Sequence, residues 1–91
     1  LPGFVVDQHF VARNRAKRLE GVVAANPGYV GLGIDEGTAL VVRGRQAAVV
    51  GASTVTVVAG KGAGREAVAE AYKAGSLFDL VQLRRAAANR A

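Results

Sequence analysis

The sequence contains no cysteine, no methionine and no tryptophan. Without cysteine there are no disulfide staples, no thiolate metal ligands and no thiol nucleophile. There is a single histidine, His9. A metal site built from several imidazoles is therefore excluded, and no metal or cofactor is expected. Aromatics are scarce, with two tyrosines and three phenylalanines. Only Phe10 lies among the basic residues of the first half, which is too little for a stacking platform for single-stranded nucleic acid. Long apolar runs are also missing. Nothing approaches the ~20 residues of a bilayer-crossing helix. The opening Leu1-Pro2-Gly3-Phe4-Val5-Val6 has no basic leader and too short an apolar run for a secretory signal. With no methionine at its start, the chain is expected to begin inside a longer protein. Serine occurs only at positions 53 and 76, and neither lies in a G-x-S-x-G turn.

What is present suffices for one small domain. The 91 residues are 51% apolar and carry a net charge of +5. A basic chain raises nucleic acid as a partner. Here the charge falls in two clusters, Arg13-Arg15-Lys17-Arg18 and Arg84-Arg85-Arg90, with a nearly neutral middle. Asp7 and Glu20 flank the first cluster, and a nucleic-acid role is disfavoured.

Periodicity divides the chain. Phe4-Val5-Val6 is a continuous apolar run after a Pro-Gly turn, as suits a strand of a parallel sheet covered on both faces. Residues 10–25 turn helical, with Ala12, Ala16, Leu19 and Val23 on one face. Asn26-Pro27-Gly28 stops that helix. Strands are predicted over residues 29–34, 38–42, 46–51 and 53–58, separated by turns at Asp35-Glu36-Gly37 and Arg43-Gly44-Arg45. Residues 59–64 read as a glycine-rich loop and 65–74 as a short helix. Residues 77–83 read as a last strand, and 84–91 as a frayed tail. A lone parallel-type strand ahead of antiparallel hairpins points to one part of a larger α/β sheet.

The informative stretch begins at the end of the first strand. Asp7, Gln8 and His9 are polar residues where ligand-binding α/β sheets present their sites. Histidine accepts and returns a proton near neutral pH. The alternative is a histidine that merely satisfies a strand–helix junction. Arg15 and Arg18 lie three apart and share a helix face. Arg13 points about 200° from Arg15 by helix geometry and reaches a common pocket only from the first turn. Planar guanidinium forks match carboxylates. The bland reading of the same residues is a solvated helix face.

The run Asp7-Gln8-His9-Phe10, with Arg13, Arg15 and Arg18-Leu19, resembles the DQHF-x-x-R-x-R-x-x-RL signature of cyanophycinases. Gly31-Leu32-Gly33-Ile34-Asp35-Glu36-Gly37-Thr38-Ala39 resembles that family's G-x-G-I-D-E-x-T-A segment. Residues 53–58 and 78–80 fit the family's closing region more loosely. The resemblance implies an α/β fold. Residues 1–91 would be the C-terminal part of a peptidase domain with a flavodoxin-like, class I glutamine amidotransferase-like sheet. It also implies a serine-type exopeptidase acting on cyanophycin, a poly-aspartate with arginine on its β-carboxyls, and releasing β-aspartyl-arginine dipeptides. His9 would be the general base to a serine on an upstream nucleophile elbow, with the orienting acid also upstream. Asp7, Gln8, Arg13, Arg15 and Arg18 match the residues lining the family's substrate pocket. An arginine-decorated polymer calls for an acid, such as Asp7, and for arginines toward its free carboxylates. Asp35 and Glu36 read first as turn residues, with an indirect role near the site.

Because no elbow serine is present, this chain alone is expected to be inactive. Its expected partners are the rest of the peptidase chain, a peptide or cyanophycin substrate and a second copy in a homodimer. Bacterial cytoplasm is the default location. A relative cleaving other aspartyl or isoaspartyl peptides, a basic binding module and a purely structural piece are the competing readings.

Overall fold

A computed structural model describes residues 3–8, 16–26, 28–60 and 67–90. In chain order the elements are β1 (Phe4–Gln8), α1 (Ala16–Ala25), β2 (Val30–Ile34), β3 (Thr38–Arg43), β4 (Gln46–Gly51), β5 (Thr54–Gly60), β6 (Ala67–Lys73), β7 (Leu77–Asp79) and α2 (Leu80–Arg90). The architecture is α/β with mixed pairing. One sheet has the order β1-β2-β5-β6, and a second has the order β3-β4-β7. β1 runs parallel to β2 with Phe4 opposite Val30 and Gln8 opposite Ile34. All other pairs are antiparallel.

The β1-α1-β2 unit follows from its residues. Parallel neighbours need a crossover, and α1 supplies its described part. Leu19 and Val23 of α1 are buried against Val58, with Val5 beside them. Gly31 makes this close approach possible. A Cβ at that position would lie 2.9 Å from Leu19 Cγ and 3.0 Å from Val23 Cγ2. The opposite face of the first sheet carries Val30, Leu32 and Val57. Ala87 of α2 is buried there, and Leu40 of β3 and Phe78 of β7 pack against the same cluster. The layers are thus α1, then the four-stranded sheet, then the three-stranded sheet with α2.

The predicted first strand and the β3–β4 hairpin with its Arg43-Gly44-Arg45 turn are present; the other predicted strands form but not as a run of hairpins, because β2 pairs with β5 rather than β3 and β4 does not pair with β5. Arg43 pairs with Gln46, leaving a two-residue turn in which Gly44 takes a positive φ of 58°. Two regions differ. Residues 65–74 were expected to be helical from their alanine, glutamate and lysine content, yet 67–73 form β6. β5 is flanked by β2 on one side and has a second row of backbone groups to satisfy. β6 satisfies them along seven residue pairs, from Thr54–Lys73 to Gly60–Ala67. That pairing outweighs a weak helix propensity. The expected strand over 77–83 ends at Asp79, and the expected frayed tail is helical through Arg90. The Asp79 carboxylate caps α2 by accepting the Gln82 amide at 3.0 Å, and Ala87 anchors the helix in the core. The second described helix is therefore Leu80–Arg90 and not the expected 65–74.

Candidate functional site

The carboxyl ends of parallel β1 and β2 lie side by side, and the chain's chemistry gathers there. Successive strand residues point to opposite faces. Asp7 shares the face of Val5, toward α1, while Gln8 shares the other face, toward β3. Gln8 is nevertheless at the lip of two clefts. The first, of about 310 Å³, is lined by Gln8, Ile34, Asp35, Glu36 and Thr38, among others. The second, also about 310 Å³, runs between β1 and α1 and is lined by Val5, Val6, Asp7, Gln8, Arg18 and Val22, with Leu19 at its floor.

The acidic turn between β2 and β3 is held firmly. The Thr38 amide donates to the Asp35 carbonyl at 3.2 Å and closes the turn. The Asp35 amide donates to the Thr54 carbonyl at 3.3 Å, tying the turn to β5. Thr38 Oγ1 accepts the Ser53 amide at 2.9 Å. Asp35 and Glu36 are thus turn residues, as expected, and they also form one wall of the cleft beside Gln8. The sequence reading gave them only an indirect role. No local signal carried this, because only the parallel pairing of β2 with β1 makes the residues after both strands emerge at one edge.

The structure therefore brings together Asp7, Gln8 and Arg18 of the expected pocket. Arg18 is exposed on α1, one residue before the buried Leu19. His9, Arg13 and Arg15 lie outside the described residues. Among the described residues, the two basic clusters do not merge into one surface. Lys17 and Arg18 ride on α1, and Arg84 and Arg85 ride on α2, on opposite faces of the four-stranded sheet. Ser53 lies in the link from β4 to β5 and Ser76 in the link from β6 to β7, both strand-to-strand connections and not strand–turn–helix elbows. No helix among the described residues is long and apolar enough to cross a membrane.

No family model matches the chain. Curated relatives do. A protein named cyanophycinase from Trichormus variabilis is 48% identical over 59 residues, covering 64% of this chain and 20% of that protein. The cyanophycinase of Geminocystis herdmanii is 42% identical over 62 residues, covering 67% of this chain and 23% of the relative. That of Synechococcus elongatus is 44% identical over 59 residues, covering 64% of this chain and 18% of the relative. The chain thus spans about a fifth of the length of the curated relatives it matches. Over roughly two thirds of its length, this chain is a partial match to the cyanophycinase family.

Proposed function

We propose that the chain is the histidine-bearing part of a serine-type peptidase that degrades cyanophycin in the bacterial cytoplasm. The observation that carries this reading is the joint placement of Asp7 and Gln8 at the carboxyl end of a parallel strand, with Arg18 across the β1–α1 cleft. His9 follows Gln8 directly and is assigned as general base to a serine outside this chain. Arg13 and Arg15 join Arg18 in binding substrate carboxylates, and Asp7 and Gln8 bind its polar groups. The β-aspartyl-arginine product is the substrate-class reading. A peptidase specific for other isoaspartyl peptides is the alternative.

The rest of the peptidase is proposed to dock at β1. Among the described residues β1 pairs with β2 alone, although strands of parallel sheets are normally flanked and covered. Val6 is 47% exposed there, beside the apolar groove of Val5, Leu19 and Val22. A neighbouring strand fills both the edge and the groove. On this reading the chain by itself is inactive, and the complete enzyme works as a homodimer.

The test is His9→Ala in the complete protein, assayed on cyanophycin and on isoaspartyl dipeptides. The expected loss in kcat is about 10²–10⁴-fold, the range of a general base. Undiminished turnover would defeat the role given to His9. Cleavage of dipeptides without cyanophycin would move the substrate assignment to the alternative.

A further inference from the structure

The chain leaves the four-stranded sheet and returns to it at one joint. After Ile34 it passes through Asp35-Glu36-Gly37 into β3. After Gly51 it passes back through Ala52-Ser53 into β5. Strand ladders lapse at such a joint, and its backbone groups need other partners. Three hydrogen bonds link the two crossings. The Asp35 amide donates to the Thr54 carbonyl at 3.3 Å, and the Ala52 amide donates to the Gly37 carbonyl at 2.9 Å. The third uses a side chain, with the Ser53 amide donating to Thr38 Oγ1 at 2.9 Å. The same hydroxyl donates to the Glu36 carbonyl at 3.4 Å, so it bonds both crossings at once. The two are also in close contact. A Cβ at Gly51 would run into the Gly37 carbonyl oxygen and lie 2.9 Å from Thr38 Cα.

We propose that Thr38 is a positioning residue for the peptidase site, whose hydroxyl fixes where the acidic turn stands against the carboxyl end of β1. The inference rests on the peptidase reading above. Gln8 is paired with Ile34, so the turn begins one residue beyond that pair. Asp35 and Glu36 then wall the cleft that Gln8 enters. Groups at a reacting centre must be held to about half an ångström. A hydroxyl suits the task because it donates to one crossing while accepting from the other. Valine has the same shape and neither capacity. It would leave the half-buried Ser53 amide without its acceptor. The 3.2 Å bond from the Thr38 amide to the Asp35 carbonyl would remain, so the turn keeps its form and loses its anchor.

In the complete protein, Thr38→Val should speed hydrogen exchange at the Ser53 amide by about tenfold or more. Turnover is measured on cyanophycin or on isoaspartyl dipeptides, whichever the parent enzyme hydrolyses. In Thr38→Val, kcat per folded molecule should fall about tenfold while KM stays within about twofold. The folded fraction comes from urea unfolding of the same sample. A hydroxyl with a merely structural role would lower the unfolding midpoint and leave kcat per folded molecule alone. Thr38→Ser keeps donor and acceptor and should bring kcat back to within about twofold of the parent. Gly51→Ala reaches the same turn from the other crossing and should reproduce the loss of kcat. Asp79→Asn, which weakens the fold away from the turn, should leave kcat unchanged. Parental turnover tests the peptidase reading, and the variants measured against the parent test the inference, so the two failures are distinct. Three results overturn the inference: unchanged Ser53 exchange in Thr38→Val, unchanged kcat per folded molecule despite faster exchange, or the same loss of kcat in Thr38→Ser as in Thr38→Val.

Discussion

Replacing Gly31 with alanine tests the packing that sets α1, and with it Arg18, against β1. A Cβ at Gly31 would sit 2.9 Å from Leu19 Cγ, 3.0 Å from Leu19 Cδ1 and 3.0 Å from Val23 Cγ2. Both neighbours are 1% exposed and have no room to swing aside. Overpacking of this kind costs about 1–3 kcal/mol. Alanine also restricts the unfolded chain, which returns about 0.4–1 kcal/mol. The net destabilisation expected is about 1 kcal/mol, with an upper bound near 2.5 kcal/mol from the same ranges. The assay is urea unfolding of the complete protein, read as a shift in midpoint at constant slope. Leu19→Ala alone should cost about 2–5 kcal/mol, because it empties a buried site. Combined, the two should be less harmful than their sum, since the new methyl enters the space the leucine leaves. Independent substitutions add within about 0.3–0.5 kcal/mol, so a coupling near 1 kcal/mol is measurable. A neutral or stabilising Gly31→Ala, together with simple additivity in the double variant, would refute the close-approach argument.

Further predictions concern charge and the strand edge. The Arg45 guanidinium, bonded to Asp79 at 2.7 Å, and the Gln82 amide hold the Asp79 carboxyl below its ordinary pKa. Its contribution to stability is therefore complete above the usual carboxylate pKa and is lost as pH falls through the depressed one. Asp79→Asn should lower thermal stability at neutral pH and flatten that acid limb, as followed by melting from pH 7 to pH 3. Arg18→Gln should raise KM for cyanophycin more than it lowers kcat if Arg18 binds a substrate carboxylate, and steady-state kinetics separate the two. Hydrogen exchange should be slow along β1 in the complete protein, and fast exchange there would argue against a neighbouring strand.

Much of the layout was legible. The apolar run at Val5-Val6, the helical spacing of Leu19 and Val23 and the turn at Gly44 each report a local preference that the fold respects. The polar residues Asp7 and Gln8 were placed at a strand end, which is where they lie. Arg18 was tied to the same pocket through its helix, and it lines the same cleft as Asp7 and Gln8. Two of the failures involve long-range partners. Residues 67–73 look helical by composition, and only the open flank of β5 turns them into a strand. Ala87 looks like part of a loose tail, and only the core below it holds α2 in place. Asp79 carried a readable capping signal with Gln82 three residues on, but the apolar Leu77-Phe78 before it drew the reading toward a strand.

The sequence by itself determined the residue types at the candidate site and their order along one strand end and one helix. Those depend on short-range spacing, and spacing is written in the chain. Only the tertiary structure decided that Asp35 and Glu36 share a cleft with Gln8, because β1 and β2 are parallel and their ends emerge together. It alone decided, too, that Val41, Val50 and Leu77 share one exposed face of the three-stranded sheet, since that depends on strand register. Pairing between distant segments is a cooperative outcome of backbone hydrogen bonding and burial, and no local window of residues contains it.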